Sequence, residues 1–340
     1  MARDSEVPGG FLNFLKKNNG FLVVGHKEPD GDCVGSQIVL ASILQKLGKQ
    51  ATICSAGPFA RSEIKHFEHL FAPVPVFPPN AGLPALILVD CSSLDRTGSL
   101  EPLLKELPFA VIDHHADTAQ GRQPQNNEAI YNKAIYVETK APSTTFLIYK
   151  LVNALGLSIS REEAGLLFFG LCTDTGFFRH VDSAGAETFK VASALIGLGA
   201  SPKDAYSRMY GGKSLDSRRH LARMLLRAEL LFDGKLVLSS EEFEENCVFG
   251  LEGRDSESLY RLLQSMEGVE AIAILRQESP EICTVGFRSR DLLDVGALAA
   301  SFGGGGHKNA SGVSLSGTID EIKPAIITAF EKVFKETANS

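Results

Sequence analysis

The sequence has no tryptophan, no low-complexity tract and no apolar run of about 18 residues, the length that a membrane-spanning helix requires. Residues 1–10 are polar and contain no apolar stretch long enough for a signal peptide. The six cysteines are widely spaced and form no C-x-x-C pair, which argues against a disulfide framework and against a structural zinc site. These absences predict a soluble, cytoplasmic protein that is not exported and has no membrane partner.

The sequence also lacks an excess of basic residues. It has 34 lysines and arginines against 41 aspartates and glutamates, which gives a net charge of −7. A protein that grips long duplex nucleic acid usually carries a broad basic surface, so we expect no such partner. Short or small anionic substrates remain open, because a few arginines or bound metal ions can supply positive charge locally.

Apolar runs of strand length are frequent in the first half of the chain. They lie at residues 21–24, 51–54, 86–89 and 110–112. Because they are apolar throughout and do not alternate, they are typical of strands buried on both faces of a parallel sheet. Helical patterns lie between and after them, and one begins near Asp32 and ends at Gly48. This order predicts a doubly wound, mainly parallel α/β domain.

The second half has a different organisation. A mainly helical stretch is followed by apolar strand patterns at residues 236–238, 271–275 and 283–287, with helical patterns near 256–265, 292–301 and 319–336. We therefore predict a catalytic domain over residues 1–185, a helical connector over 186–233 and a smaller, substrate-binding α/β domain over 234–340. A chain of 340 residues is long enough for two cores, and we expect the active-site cleft between them.

Acidic and histidine residues gather where the predicted strands and helices end. The residues concerned are His26, Asp30, Asp32, Asp90, Asp113, His114, His115 and Asp174. Because the carboxyl ends of parallel strands meet at one edge of a sheet, we expect several of these side chains to converge. Carboxylates and imidazoles are the ligands that divalent ions take when a site holds two metals and leaves room for water. The pattern predicts a catalytic metal site that acts on a phosphate.

Each motif alone also has a purely structural interpretation. Asp32 could cap a helix after a turn, and Asp90 and Asp174 could be ordinary residues at the end of a strand and a helix. The pair His114 and His115 is harder to explain in this way, because buried imidazoles need hydrogen bonds or coordination. Their side chains point in different directions, so one imidazole is expected to bind metal while the other faces a phosphate.

Four consecutive glycines, residues 303–306, precede His307 in the second half. They let the backbone approach a ligand or present its N–H groups to an anion, and the alternative is a flexible turn. Arg288 and Arg290 end a predicted strand just upstream. A guanidinium there could pair with a phosphate or stack on a base, and the alternative is a solvated edge.

In order and spacing, residues 26–32, Asp90 after Val89, residues 113–115 and residues 174–176 resemble the four motifs of the DHH phosphoesterase superfamily. Residues 304–312 are similar to the signature of the DHH-associated domain of its first subfamily. The size of the chain and the lack of sensor or membrane domains look most like the stand-alone nanoRNase and pAp-phosphatase type, which is RecJ-like.

The resemblance implies two manganese ions, with magnesium or cobalt as alternatives. It implies that one ion is held by His26, Asp30 and Asp90. The other would be held by Asp32, Asp90, His114 and Asp174. Asp90 as the bridging ligand and His115 at the scissile phosphate would be the catalytic residues. The substrate ligands implied in the second domain are Arg288, Ser289, Gly305, Gly306 and His307.

The implied activity is hydrolysis of short oligoribonucleotides, with pAp and linear or cyclic dinucleotides as related substrates, by water that two metals activate. An inorganic pyrophosphatase or exopolyphosphatase shares the metal motifs but is disfavoured by the glycine-rich signature. A non-catalytic nucleotide-binding module has no need of a second metal. The expected partner is a short oligonucleotide or nucleotide, and a homodimer stays open. The inserted Pro142, and Phe146 where relatives often have glutamate, leave the polar contacts there open.

Overall fold

The computed structural model describes residues 7–75, 84–115, 134–250, 254–290 and 292–338. The chain divides into two compact units, Met1–Gly211 and Gly212–Ser340. The division falls inside the stretch 186–233 that the sequence suggests as a connector, and the role of this stretch as a connector stays a prediction. No helix among the described residues is both long and apolar enough to cross a membrane.

The first unit contains a five-stranded parallel sheet with the order β2-β1-β3-β4-β5. Its strands are β1 Gly20–Val24, β2 Gln50–Cys54, β3 Ala85–Val89, β4 Phe109–Asp113 and β5 Ile135–Val137. Every residue of β1 and β3 is buried, as their unbroken apolar sequences predict. The predicted α/β class with a parallel sheet in the N-terminal half is confirmed.

Helices pack on both faces of this sheet. They are α1 Gly9–Lys17, α2 Gly31–Lys46, α3 Glu101–Leu104, α4 Thr144–Ala154, α5 Arg161–Asp174, α6 Ala186–Gly197 and α7 Pro202–Tyr210, with 3-10 segments at Lys65–Leu70 and Leu94–Leu100. One face contacts a large core from α1, α2, α4 and α5, while the other contacts a smaller core around Leu100 and Leu104. Alternate residues of each strand enter the two cores, so both faces are buried.

Polar side chains determine where three of these helices begin. The Asp30 carboxylate accepts hydrogen bonds from the first free backbone N–H groups of α2, and the Ser143 hydroxyl does the same for α4. Ser160 and Glu163 form the capping box that the sequence predicts for α5. These caps place the first turns of α2 and α4 at the edge of the sheet where the candidate site lies.

The second unit contains a six-stranded mixed sheet with the order β10-β11-β9-β8-β7-β6. Its strands are β6 Glu229–Leu231, β7 Leu236–Glu241, β8 Ala271–Ser279, β9 Ile282–Ser289, β10 Gly305–His307 and β11 Ala310–Ser316. Its helices are α8 Leu215–Leu226, α9 Phe243–Phe249, α10 Ser256–Gln264, α11 Val295–Ser301 and α12 Ile319–Ala338. One face packs on α11 and α12, and the β7–β8 part of the other face packs on α8 and α10.

The glycine run differs from the expectation of a loop or flexible turn. Gly305 and Gly306 lie in the short edge strand β10, which pairs antiparallel with β11. The hydrogen bonds of a neighbouring strand order this segment, and no apolar side chain in it signals a strand. At Gly306 a side chain is excluded, because φ is 144° and an added Cβ would lie 2.5 Å from the Cα of Ser311.

Candidate active site

The acidic and histidine motifs meet at the carboxyl edge of the parallel sheet. His26 follows β1, Asp90 follows β3, and His114 and His115 follow β4. Asp32 lies in the first turn of α2 and Asp174 is the last residue of α5. The backbone at Asp90 is left-handed, with φ 60°, a conformation that costs energy for a residue other than glycine and is common at functional sites.

Six of these side chains, together with one cysteine, form three contiguous groups of potential metal ligands. The groups are His26 with Cys33 and Asp90, Asp90 with His114 and His115, and Asp32 with His114 and Asp174; within each group the ligand atoms lie within 4.8 Å of one another. Asp90 and His114 each belong to two groups. The His114 Nε2 atom is 2.9 Å from Asp174 Oδ2 and 3.6 Å from Asp90 Oδ1, while His26 Nε2 is 3.5 Å from Asp90 Oδ2.

Main-chain carbonyl groups fix the orientation of two imidazoles. His26 Nδ1 lies 2.8 Å from the Lys27 oxygen, and His114 Nδ1 lies 3.2 Å from the Ala141 oxygen. A carbonyl oxygen can only accept, so Nδ1 carries a hydrogen in both rings and Nε2 faces the carboxylates. Histidines that bind metals are usually held in this way. The buried Nε2 of His114 makes no hydrogen bond of good geometry within the described residues, as fits an atom that binds a cation.

The site has a deficit of positive charge. Asp32 is 0% exposed, and burial, reinforced by the Asp174 charge, raises its pKa to about 7. Burial, together with the charges of Asp32 and Asp30, also raises the pKa of Asp90. Burial alone would lower the pKa of His114, but the neighbouring Asp174 and Asp32 raise it to about 9. A divalent cation would relieve the repulsion among these carboxylates, so the residues present fit a metal centre.

The N-terminus of α4 holds two of the carboxylates in place. The Thr144 and Thr145 N–H groups donate to Asp32 Oδ2 and Oδ1 at 2.6 and 2.8 Å, and the Thr145 hydroxyl donates to Oδ1 at 2.6 Å. The Thr144 hydroxyl donates to Asp90 Oδ1 at 2.9 Å. Phe146, in contrast, is buried in the core and provides no polar side-chain contact here. Neither threonine was predicted from the sequence as a site residue, although their place after the helix cap Ser143 was a usable signal.

Asp113 organises the two adjacent histidines. Its Oδ1 accepts hydrogen bonds from the His114 N–H at 2.8 Å and from His115 Nδ1 at 2.7 Å, and the Ser92 hydroxyl donates to Oδ2. Burial alone would raise the pKa of Asp113, but the hydrogen bonds from His115 and Ser92 hold it below its usual value. The His115 side chain is 51% exposed against 15% for His114. The two imidazoles therefore point to different surroundings, as the sequence suggests.

Two residues near β1 differ from the expected ligand set. Asp30 lies close enough for its charge to affect Asp90, but it is not a member of the three groups, and one of its oxygens caps α2. Its role as a metal ligand stays a prediction. Cys33 is a member of the first group and is fully buried, yet it was not predicted from the sequence as a site residue. Its thiol lies 3.5 Å from Gln37 Oε1. Cys33 follows Asp32 directly in the sequence, and this position was the available signal for a further ligand.

The second unit brings most of its predicted substrate residues together. Ala310 in β11 pairs with Arg288 on one side and with His307 on the other, so these two side chains lie in one cross-strand row. Gly305 and Gly306 occupy the same edge strand as His307. Ser289 differs, because its hydroxyl is buried and donates to the Leu293 carbonyl oxygen at 2.8 Å.

A parallel α/β unit with imidazoles and carboxylates at its carboxyl edge, followed by a second α/β unit, defines a two-domain protein with a centre suited to divalent cations. The chain matches the model of the DHH family N-terminal domain over residues 20–171 and that of the DHHA1 domain over residues 245–336. Together these matches cover well over half of the chain. The chain therefore belongs to the DHH family of phosphoesterases, and the resemblance seen in its motifs is confirmed.

Relatives and a solved structure support this assignment. The chain is 28% identical over 304 residues to the bifunctional oligoribonuclease and PAP phosphatase NrnA of Thermus thermophilus, covering 89% of this chain and 86% of the relative. It is 27% identical over 352 residues to the cyclic-di-AMP phosphodiesterase GdpP of Bacillus subtilis, covering 97% of this chain but 51% of that protein. A crystal structure of an exopolyphosphatase-related protein from Bacteroides fragilis has a TM-score of 0.78 and 24% identity, covering 96% and 94% of the two chains, and shows the shared fold.

Proposed function

We propose that the chain hydrolyses short oligoribonucleotides, with pAp and linear or cyclic dinucleotides as related substrates, in a metal-dependent reaction. The observation that carries the proposal is the convergence of Asp32, Asp90, His114 and Asp174, from four separate motifs, in two groups of potential metal ligands that share His114. The names of the two relatives support the substrate class, since one is an oligoribonuclease and PAP phosphatase and the other a cyclic-di-AMP phosphodiesterase.

Two manganese ions are the proposed cofactors, with magnesium or cobalt as alternatives. His26, Asp30 and Asp90 would hold one ion. Asp32, Asp90, His114 and Asp174 would hold the other. A mixed set of carboxylates and imidazoles suits manganese better than a purely hard or soft cation. When bound, two such ions lower the pKa of a water and stabilise the charge on phosphoryl oxygens.

The protein's own residues orient these groups. Thr144 and Thr145 fix the Asp32 and Asp90 carboxylates through hydrogen bonds, so the ligands are positioned before any cation arrives. Asp113 holds His115 by Nδ1, and the half-exposed imidazole of His115 would contact the scissile phosphate. In the second unit, Arg288 and His307 would bind the substrate's terminal phosphate from one row of the sheet, beside Gly305 and Gly306.

The alternative of an inorganic pyrophosphatase or exopolyphosphatase would share the metal ligands of the first unit. The presence of a second unit with a guanidinium, an imidazole and glycines on one sheet face favours a nucleotide substrate. A module that only binds nucleotides would not need a cluster of uncompensated buried carboxylates, because such a cluster destabilises a protein that holds no cation.

A substrate panel tests the proposal. The protein and manganese are incubated with labelled RNAs of two to seven nucleotides, pAp, pApA, cyclic di-AMP, pyrophosphate and polyphosphate. We expect turnover of the short RNAs and of one or more of the small nucleotides. Turnover of pyrophosphate or polyphosphate alone would support the alternative enzyme. After dialysis, two metal ions per chain are expected, and no bound metal would favour the binding module.

The cellular compartment and the oligomeric state of the protein are proposed from fewer observations. The cysteines whose side chains the structure describes are all free, which suits the reducing cytoplasm that their spacing predicts. Cell fractionation would check this, and light scattering would decide between a monomer and the homodimer that the sequence left open.

A further inference from the structure

We propose that the sheet of the second unit carries a subsite for a nucleobase, on the face formed by Gly286 and Gly312 beside Tyr260. The inference rests on the proposed function and deepens it. It adds a place for a base next to the row of residues expected to bind a phosphate.

The strand register defines the subsite. Directly paired residues of antiparallel strands point their side chains to the same face, and so do residues two apart along one strand. Three adjacent rows therefore share one face of the β10-β11-β9 part of the sheet. The first row is His307, Ala310 and Arg288, the second is Gly305, Gly312 and Gly286, and the third is Ser314, Thr284 and Arg276.

The glycine row forms the floor of an open groove. Helices α8 and α10 cover the neighbouring strands β7 and β8 through an apolar core that includes Ile272 and Ile274. Beyond that core no described helix covers the face, and a groove of about 410 Å³ is lined by residues of the second and third rows, including Gly286, Gly312 and Arg276, and by neighbours along the strands such as Val285 and Val313. Ligand sites usually have volumes of about 300–1,000 Å³, so the groove has room for a nucleoside.

The glycines keep this floor flat at a cost in strand stability. An added Cβ at Gly286 would lie 2.2 Å from the Tyr260 hydroxyl oxygen, so this hydroxyl reaches directly over the row. Glycine inside a strand weakens it and often marks a place where a ligand or another backbone approaches closely. The Tyr260 hydroxyl accounts for the glycine at position 286. At Gly312, which lines the open groove, no side chain of the described residues lies close enough to exclude a Cβ. A planar ligand would account for the flat surface there.

Tyr260 provides an unused polar group at the groove. The residue is 5% exposed, and the Arg288 guanidinium carbon lies 4.3 Å from the centroid of its ring. Its hydroxyl makes no hydrogen bond to another described residue and is not among the fully buried polar atoms, so a ligand can reach it. A base that lies on the peptide planes at Gly312 would present its polar edge to this hydroxyl, with its phosphate near Arg288.

The charge and the shape of the groove favour a nucleobase over an inorganic chain of phosphates. The floor is uncharged and flat, which suits a heterocycle that stacks on it, whereas a polyphosphate needs cationic or N–H donors along its whole length. Arg276, at the border of the groove, is held by hydrogen bonds to Glu241 and Ser256. The charge available to a phosphate is therefore concentrated in the Arg288 row.

Two substitutions test the subsite. Gly312→Val fills the floor, and among the described residues other than its chain neighbours only the Val285 carbonyl oxygen, at 3.3 Å, lies within 4 Å of the added Cβ. Tyr260→Phe removes only the hydroxyl and keeps the ring that contacts Arg288. The matched control is Ser316→Val, which places the same side chain on the same face of β11 at an exposed position outside the groove.

Binding is measured by calorimetry in EDTA, where turnover cannot occur, with pApA and two analogues that each lack one base. We expect wild type to bind pApA more tightly than one of the analogues. Gly312→Val should weaken pApA binding about tenfold, and Tyr260→Phe about three- to tenfold, the effect of one lost hydrogen bond. Neither substitution should change the affinity for the analogue that wild type binds more weakly than pApA. Ser316→Val should leave the affinity for all three ligands unchanged. Equal wild-type affinity for all three ligands, or no binding of any, would overturn the subsite.

Turnover separates this inference from the proposed function. With manganese, both groove variants should raise KM for pApA and leave kcat unchanged. If wild type shows base-dependent binding but no hydrolysis, the subsite stands and the proposed activity fails. If pApA is hydrolysed with the same KM by wild type and both variants, the activity stands and the subsite fails. Should Gly312→Val not fold, as judged by circular dichroism, Tyr260→Phe decides.

Discussion

Buried carboxylates occur in both units, but their partners differ. In the first unit, Asp32 and Asp90 lie among other acids and imidazoles, and no lysine or arginine of the described residues pairs with them. In the second unit, Glu241 is 0% exposed, yet its two oxygens accept hydrogen bonds from Arg254 Nε at 2.7 Å and Arg276 Nε at 3.0 Å. The protein thus neutralises the buried charge of Glu241 with two arginines and leaves Asp32 and Asp90 without a lysine or arginine partner among the described residues.

The same contrast extends to neighbouring groups. Glu245 receives two hydrogen bonds from Arg227, and although burial alone would raise the pKa of Glu245, these bonds hold it below its usual value. At the carboxyl edge of the first unit, burial and like charges instead raise the pKa of Asp32 and Asp90. A buried charge with a partner of opposite charge is typical of a residue with a structural role. A buried charge without such a partner indicates a site that a ligand completes.

The largest effect is expected from Asp90→Asn. The substitution keeps the shape of the side chain but removes a charge that would bridge both cations, so turnover should fall at least about a thousandfold. The melting temperature in EDTA should be unchanged or higher, because the substitution removes a buried charge that the neighbouring carboxylates repel. Activity assays with manganese and thermal unfolding check the two outcomes. Manganese-dependent turnover close to wild type would contradict the assignment.

Glu241→Gln should, in contrast, lower the stability of the protein. It leaves Arg254 and Arg276 without their shared carboxylate, and breaking a buried pair in this way costs about 3–5 kcal/mol in the free energy of unfolding. Urea unfolding followed by circular dichroism measures the change, since the chain has no tryptophan for fluorescence. The control is Glu229→Gln, at a half-exposed glutamate paired with Lys323, where about 0–1 kcal/mol is expected. Equal losses in both variants would remove the distinction between the two units.

Thr145→Val tests the positioning of the ligands. The substitution removes the hydroxyl that donates to Asp32 but keeps both backbone N–H donors. Loss of such a supporting contact typically lowers metal affinity about 10- to 100-fold, which calorimetry with manganese would measure. Thr188→Val, at a buried threonine of α6 away from the site, is the control for the general effect of the exchange. The same loss of affinity in the control would refute a specific role for Thr145.

The smallest expected effect is that of pH on the free energy of unfolding of the second unit. Interactions with their neighbours hold the pKa values of Glu245, Glu278 and Asp255 below their ordinary values of 4.5, 4.5 and 3.8, although burial opposes this in each case. Their stabilisation is therefore fully present above those ordinary values and is lost as the pH falls through the lower, folded-state values. The free energy of unfolding of the second unit should decrease gradually as the pH falls from about 5 to about 3. A constant value over this interval would mean that these pairs contribute nothing.

Much of the first unit could be predicted from local patterns. Unbroken apolar runs identified β1 to β4, and Ser160 with Glu163 identified the start of α5. The three-residue strands β5, β6 and β10 and the longer strand β11 were not recognised, because exposed or small residues leave no clear apolar pattern and the neighbouring strands order them. Glu241 was likewise invisible, since its arginine partners are distant in sequence.

The sequence by itself determined which side chains lie at the ends of strands and helices, because hydrophobic periodicity and helix caps are local. It also determined the convergence of those ends, because parallel strands share a carboxyl edge. Only the tertiary structure decided that Thr144 and Thr145 hold Asp32, that Asp113 orients His115 and that Tyr260 reaches over Gly286. These contacts join residues whose directions depend on helix placement and strand register, and no local pattern encodes either.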